Sequence, residues 1–559
     1  MSIRSVTDEF LVSPQIALED IAGLPARGIK GIVNNRPDGE QDGQPTSAEI
    51  EAAATAAGLA YRHIPVVPGK ITAKEIAATR KALAEIPGPV LGFCRSGTRA
   101  VSLWALARAG EADADELIAQ AEAAGHDIQG LRPRLETVAA PKPGGRKKAA
   151  AKDPVETFDV LIVGGGAAGI AVAASLLKKR RGTSVAIIEP SEKHYYQAGF
   201  TLVGGGAFTF EKTVREEARC IPRGAKWIRS AVEAFEPEAN RVVLEDGERV
   251  GYRRLVVCPG LKLDWHKVDG LWETLGKNGV TSNYLPGMAR YTWELIQATK
   301  GGEAVFTQPP MPIKCAGAPQ KIMYLACDHW RREGALGDIH VEFDNAGGVL
   351  FGVSEFVPPL MKYVERYGID LQFNTNLVAI DGPGKTATFE RKDADGKVQR
   401  VTKSFDMIHV CPPQCAPDFV RTSPLADEAG WLAVDPETLR SPKFDNVYAL
   451  GDVCSAPNAK TAAAVRKQAP VVVHNLIRDL NGTGSEGVYD GYGSCPLIVE
   501  RGKVILAEFG YGGKLLPTFP LNPTVPRWIW WILKARILPF MYWDMLFKGR
   551  DWGAGAKTR

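Results

Sequence analysis

Along the first part of the chain, hydrophobic positions group into short runs separated by amphipathic stretches. GIKGIVNNRPDG, then AEIEAAATAAG, then YRHIPVV alternate strand and helix patterns, and this order predicts a small parallel α/β layer over residues 1–137. The pattern stops between 138 and 156. VAAPKPGGRKKAAAKDPVE is mostly proline, glycine, lysine and alanine with no apolar period, which predicts a linker between two domains. Patterning resumes with FDVLIVGGGAAGIAVAASLL, an apolar strand running straight into glycines and then a helix. Another apolar run, Glu303–Thr307, opens a second unit of the same kind, and residues 440–470 return to the first. This predicts a two-lobed α/β body at 157–521, with one half at 157–299 and 421–485 and the other at 300–420. A tail follows at 522–559.

The tail segment Pro526–Trp552 reads PRWIWWILKARILPFMYWDMLFKGRDW. Its apolar and aromatic runs are broken by Arg527, Lys534, Arg536, Pro539, Lys548 and Arg550. That is the composition of interfacial helices, with tryptophans at headgroup depth and basic residues toward anionic lipid. A helical hairpin packed on the protein or in a dimer interface is the alternative. No apolar stretch approaches the roughly 20 residues needed to cross a bilayer. The N-terminus lacks a basic start and apolar h-region, so no signal peptide is expected.

Composition narrows the class. The 559 residues are 45% apolar and 24% charged with a net charge of +4, which fits a multidomain globular protein and not a nucleic-acid binder. The nine cysteines are odd in number and irregularly spaced, which argues against a disulfide framework. Cys411 and Cys415 are close enough to bridge, but zinc would need two more ligands. The eight histidines form no ligand set, and no metal is expected.

Gly164, Gly166 and Gly169, with Ala167 and Ala168 between them, follow a strand and open a helix. Glu189 ends the next strand, 20 positions beyond Gly169. This is the full context of a dinucleotide fingerprint: glycines admit the pyrophosphate to backbone N–H groups at a helix N-terminus, and the carboxylate accepts from the adenosine ribose. The second unit differs. Its strand leads into QPPMPIKCAGAPQK, whose prolines fix φ and remove N–H donors. A pyrophosphate would find few amides there, so this half is expected to have lost nicotinamide binding and to present Cys315 instead.

YRRLVVCPG (Tyr252–Gly260) and NVYALGDVCSAP (Asn446–Pro457) resemble the segments with which flavoprotein disulfide reductases complete an FAD site. With EPSEKHYYQAGFTLVGGG, PIKCAGAPQKIMYL, AKTAAAVRKQA and YDGYGSCPLI added, the chain from about residue 158 almost to its C-terminus resembles a sulfide:quinone oxidoreductase of the mitochondrial type. The resemblance implies two Rossmann-like domains, a membrane-surface tail and FAD as cofactor. Gln197, Val232, Gly260, Asp452 and Lys460 would join the fingerprint in binding it, with Asp452 near the ribityl chain and Lys460 near the reduced flavin. It also implies that Cys315 pairs with Cys495, as a disulfide or a sulfur-bridged form, with Cys495 keeping the persulfide and Cys315 leaving as thiolate. Implied partners are hydrogen sulfide, ubiquinone or menaquinone, and a sulfur acceptor such as glutathione, sulfite or cyanide. The implied location is peripheral, on the cytoplasmic face of a bacterial inner membrane, and compatible with a homodimer. A type II NADH:quinone reductase and a membrane-bound sulfide sensor are the rivals.

In the N-terminal domain, VLGFCRSGTRAVSLWALAR places Cys94 and Arg99 in a Cys-x4-Arg loop between a strand and a helix. Such loops form anion nests, and the helix N-terminus with Arg99 would favour a thiolate. Phosphatases use one more residue. Together, NNRPDGE and CRSGTR resemble the phosphatase-like, sulfurtransferase-related domain of beta-lactamase-hydrolase-like proteins over residues 3–110. Transfer of sulfane sulfur from Cys495 to Cys94, directly or through a small thiol such as glutathione, is therefore expected, with residual phosphatase activity as the alternative.

Overall fold

The computed structural model describes residues 3–135 and 156–559, apart from positions 42, 67–70, 87, 110–111, 133, 394 and 552. The chain divides into two compact units, Met1–Ala151 and Lys152–Arg559. The linker expected at 138–156 lies, except for Glu156, outside the described residues.

In the first unit, five strands are ordered Arg4–Ser5, Phe10–Ser13, Val90–Phe93, Gly31–Asn34 and Ala60–His63. The first pair is antiparallel and all others are parallel. The two central strands, GIVN and VLGF, are buried at every position, as a sheet covered on both faces requires. Thr46 and Glu49 form a capping box that starts the helix Ser47–Ala56. The strand Val90–Phe93 runs through residues 94–97 into the helix Thr98–Arg108.

In the second unit, the sheet of the fingerprint half is ordered Ala225–Ile228, Val185–Ile188, Thr157–Val163 and Arg249–Val257, continuing to Arg241–Leu244 and Val232–Glu236. The late strand Val447–Ala449 joins beside Leu255–Val257, which is how residues 440–470 rejoin this half. The helix Ala167–Lys179 packs hard on the strand end: a Cβ on Gly169 would stand 1.9 Å from the Gly164 carbonyl oxygen, so only glycine fits.

The other half has a parallel sheet ordered Val280–Thr281, Met407–His409, Gly302–Gln308, Ile339–Asn345 and Asp370–Phe373. Its first strand lies before residue 300, so this half begins earlier than its sequence pattern predicts. Two buried residues beside Gly279 are too few to register as a strand, and parallel pairing with Ile408 and His409 makes them one.

Two later pieces complete the site. The hairpin Gly493–Glu500 with Lys503–Phe509 pairs Ser494 with Glu508, Cys495 with Ala507 and Pro496 with Leu506. Residues Trp528–Lys548 are helical, with π turns at Leu533–Ile537 and Met541–Met545. This tail is two-faced. Tyr542, Trp543 and Phe547 belong to the core that holds the fingerprint strand and helix, whereas Trp528, Ile529 and Phe540 are 66%, 52% and 54% exposed. Among the described residues, no helix is long and apolar enough to cross a membrane.

Candidate active site

A cavity of about 1160 Å³ runs from the fingerprint loop to Cys315. Gly166, Ala167, Ala168 and Glu189 line one end, and Gln197, Gly260, Asp452 and Lys460 line its middle. Gly164 and Gly169 shape the loop from behind. Val232 sits in a strand of the sheet, buried, and does not line the cavity.

At the fingerprint end, Glu189 accepts hydrogen bonds from the Gly165 N–H at 2.7 Å and the Ser191 N–H at 2.8 Å. Burial raises its pKa, and the nearby Glu217 adds to the rise. In the middle, Lys314 contacts Gln197 and pairs with Asp452 at 3.2 Å. Lys460 is no solvated helix-end lysine. It is 7% exposed, and its amine donates to the carbonyls of Asp452 (2.7 Å) and Cys454 (3.0 Å). Burial lowers its pKa. The Lys460 carbonyl in turn accepts from the Cys315 N–H at 2.9 Å, which ties the proline-rich turn to the fingerprint half.

At the far end, the Sγ atoms of Cys315 and Cys495 are 3.4 Å apart, although the residues are 180 positions apart in sequence. Both are free thiols, beyond the roughly 2.05 Å of an S–S bond. Cys315 has φ +53°, a left-handed conformation rare for a residue with a side chain, and such strain clusters at reactive positions. Gly317 admits the partner: a Cβ there would lie 2.6 Å from the Cys495 Sγ and 2.4 Å from Leu497 Cδ2. Strand alternation explains how Cys495 is aimed. Cys495 and Leu497 face the core of the second half, whereas Ser494 and Pro496, on the opposite face, line the cavity with Leu506 and Glu508.

The two sulfurs are electrostatically unequal. A hydrogen bond from Cys495 and the charge of Lys321, whose Nζ is 3.0 Å from the Cys315 Sγ, hold the Cys315 thiol well below its usual range. The same hydrogen bond and burial push Cys495 well above it. Of the two sulfurs, Cys315 is the one whose surroundings favour a negative charge.

Two lysines have a place at the thiols that the sequence did not assign them. Lys321 is 3% exposed, and its pKa is raised because the two thiols outweigh burial. Lys534 corrects the reading of the tail. Instead of facing lipid it is 4% exposed, lines the cavity, and donates to the Ala198 carbonyl at 2.8 Å. The π turn at 533–537 carries it inward on the same side as the buried Trp530. Burial and the like charge of Lys321 lower its pKa to about 8. Its i,i+4 spacing from Trp530 was the available signal.

Among the described residues, His194, Glu217 and Cys220 place ligand-type atoms within 4.8 Å of one another. Both ring nitrogens of His194 are already engaged, by Glu217 at 3.0 Å and Tyr542 at 2.7 Å. Burial pushes the Cys220 thiol up to about 12. The group is a hydrogen-bonded cluster. Cys411 is buried and its thiol is pushed up by burial, and Cys415 is not bonded to it.

In the first unit, Cys94 is fully buried and its Sγ accepts from the Gly97 N–H at 3.2 Å. Arg99 does not reach for the thiol. Its guanidinium is held by the Val66 carbonyl at 2.7 Å and by Glu40 at 2.8 Å, a carboxylate it shares with Arg36.

Comparison with known proteins matches residues 2–111 to the phosphatase-like domain of beta-lactamase hydrolase-like proteins. Residues 158–285 match the pyridine nucleotide-disulphide oxidoreductase family. The mitochondrial sulfide:quinone oxidoreductase of Dictyostelium discoideum is 42% identical over 371 residues, covering 66% of this chain and 81% of that protein. The Mus musculus protein of the same name is 38% identical over 402 residues, covering 72% and 89%. The solved sulfide:quinone oxidoreductase of Aquifex aeolicus shares the fold, with a TM-score of 0.59 at 18% identity over 71% of this chain and 92% of that one.

Proposed function

Because this chain belongs to the sulfide:quinone oxidoreductase family, we propose that Cys315 and Cys495 are the pair on which it oxidises sulfide, beside an FAD that delivers the electrons to quinone. The observation that carries this assignment is the 3.4 Å approach of two cysteines from distant segments, with a buried lysine on one of them.

The residues present fit FAD. The fingerprint loop and Glu189 border the cavity, a buried oxygen of Glu217 beside them has no partner, and the space continues to Cys315. The backbone N–H groups of Gly166, Ala167 and Ala168 at the helix start would hold the pyrophosphate, Glu189 the adenosine ribose, and Asp452 and Lys460 the ribityl and ring end. When bound, the flavin supplies the two-electron link between the Cys315 thiolate and the quinone. The protein's own part is sulfur exchange. With the pair oxidised, hydrosulfide forms a new S–S bond on Cys495 while the bond to Cys315 breaks, and that bond's electron pair stays on Cys315. Lys321 neutralises the charge, and Cys495 is left as the persulfide. The site also suits a bridging sulfur, because two S–S bonds of about 2.05 Å span about 3.3 Å at a near-tetrahedral angle. The type II NADH reductase reading is disfavoured by Pro309, Pro310 and Pro312 in the turn where a glycine-rich loop would be needed. The test is anaerobic: sulfide should bleach the flavin band of the purified protein, and a quinone analogue should restore it over repeated cycles. A single bleaching without sustained quinone reduction would instead mark a sensor.

Lys534 sets a pH dependence. Its charge is present below about pH 8 and lost above it, removing one of the two cations beside the thiols. The rate of sulfide-dependent quinone reduction, corrected for the hydrosulfide fraction, should fall severalfold as pH rises through 8. Lys534→Met should be slower at pH 7 and flat across that range.

The exposed face of the tail supports peripheral membrane binding and quinone entry. Ile537 is 40% exposed and also lines the cavity, so the apolar surface is continuous with the site. Trp528→Ser with Phe540→Ser should weaken binding to anionic lipid vesicles, read by co-sedimentation, about 10²- to 10⁴-fold, since burying each side chain stabilises by about 1.5–3 kcal/mol.

The phosphatase-like unit supports a sulfur-transfer role for Cys94. At equal sulfide oxidation, Cys94→Ser should alter the sulfane-sulfur products, and an unchanged mixture would remove the relay.

A further inference from the structure

Glu217 takes no part in the chemistry above, yet its placement is unusual. The residue is 1% exposed, and its Oε1 has no hydrogen-bond partner. A buried carboxylate oxygen left unpaired is costly. That oxygen abuts the fingerprint loop: a Cβ on Gly165 would lie 2.8 Å from it. Glu217 lines the cavity beside Glu189, so two carboxylates converge where the adenosine end of a dinucleotide belongs. Its other oxygen, Oε2, is 3.0 Å from His194 Nδ1, and His194 Nε2 is 2.7 Å from the Tyr542 hydroxyl. With the carboxylate as acceptor, Nδ1 carries the ring proton and Nε2 accepts from Tyr542.

Tyr542 comes from the second π turn of the C-terminal segment. The segment is anchored nearby: Lys179 pairs with Asp551, and a Cβ on Gly549 would come 2.6 Å from the Ala174 carbonyl oxygen of the fingerprint helix. Phe547 stacks edge-on against the His194 ring at 4.8 Å, which fixes its orientation.

We propose that Glu217 Oε1 accepts a hydrogen bond from the adenosine portion of FAD, a ribose hydroxyl or the exocyclic amino group. Tyr542, acting through His194, holds it in position, so the C-terminal segment is a strap on the cofactor as well as a surface element. This rests on FAD being the cofactor of this cavity.

The test uses full-length apoprotein titrated with FAD, followed by flavin fluorescence, and with ADP, which carries only the adenosine and diphosphate end, followed by calorimetry. In Glu217→Gln the His194 N–H keeps the amide carbonyl on its own side, so an NH₂ donor faces the ligand in place of an acceptor. Affinity for both FAD and ADP should fall about tenfold, with far-UV circular dichroism of the apoprotein unchanged. Tyr542→Phe should weaken both about threefold or more and speed FAD release. If wild type binds FAD and both variants bind FAD and ADP within twofold of it, the proposal is wrong. If Glu217→Gln alone weakens binding, the strap is wrong. If wild-type apoprotein binds neither ligand, the FAD assignment itself fails.

Discussion

Cys315→Ser leaves a folded, flavin-loaded protein whose sulfide-dependent quinone reduction is down by at least about 10³-fold. A serine hydroxyl forms no bond to sulfur that hydrosulfide can exchange, and at neutral pH it is not an anion. The position itself is intact in this variant, because the Lys460 carbonyl that accepts from the backbone N–H of residue 315 is unaffected. Cys495→Ser should be equally inactive in turnover, but the two differ toward alkylating agents. Cys315, held well below the ordinary thiol range, should react with iodoacetamide near neutral pH in the Cys495→Ser protein once the cavity is free of flavin. Loss of its hydrogen bond from Cys495 moves that reactivity upward without abolishing it, since Lys321 remains. Equal turnover in wild type and Cys315→Ser would remove the thiol pair from the mechanism.

Lys321→Met gives the second large effect. The amine is 3.0 Å from the Cys315 Sγ and almost fully buried, so its charge acts in a weakly screened site. Removing it should raise the Cys315 pKa and slow sulfide oxidation about 10²-fold. The pH profile of Cys315 alkylation separates this from a packing defect. A lost charge moves the midpoint upward, whereas a merely loosened site leaves it in place. Lys321→Arg should restore part of the shift if the larger head is accommodated.

The pairing of Cys315 with Cys495 entered through family resemblance, because nothing in a spacing of 180 positions shows that two residues meet. What the residues themselves carried was local. The fingerprint from Gly164 to Gly169 could be read because strand, glycines and helix are contiguous, and the loss of a glycine-rich turn could be read from three nearby prolines. Lys321 lies inside the PIKCAGAPQKIMYL motif, yet its role depends on which face of the helix Ala318–Glu333 meets the hairpin, a tertiary fact. Lys534 was misread because a basic residue among tryptophans is usually interfacial. Only the π turn and its seat beneath Ala198 put it inside. Glu217 gave no local signal at all, as its neighbours His194 and Tyr542 are brought to it by separate parts of the fold. Val232 shows the reverse limit: a position carried over by resemblance sits in the sheet and does not reach the cavity.

The hairpin strand from Gly493 to Glu500 has two unlike faces, with Cys495 and Leu497 turned to the core of the second half and Ser494 and Pro496 turned to the cavity. Because neighbouring residues point opposite ways, inserting a single residue just ahead of Ser494 would exchange the two faces, putting the serine where the thiol stood and turning the thiol away from Cys315. Length in this stretch is therefore less negotiable than side-chain identity, and redesign of the cavity wall should proceed by substitution at Ser494, Pro496 and Leu506 with the residue count untouched.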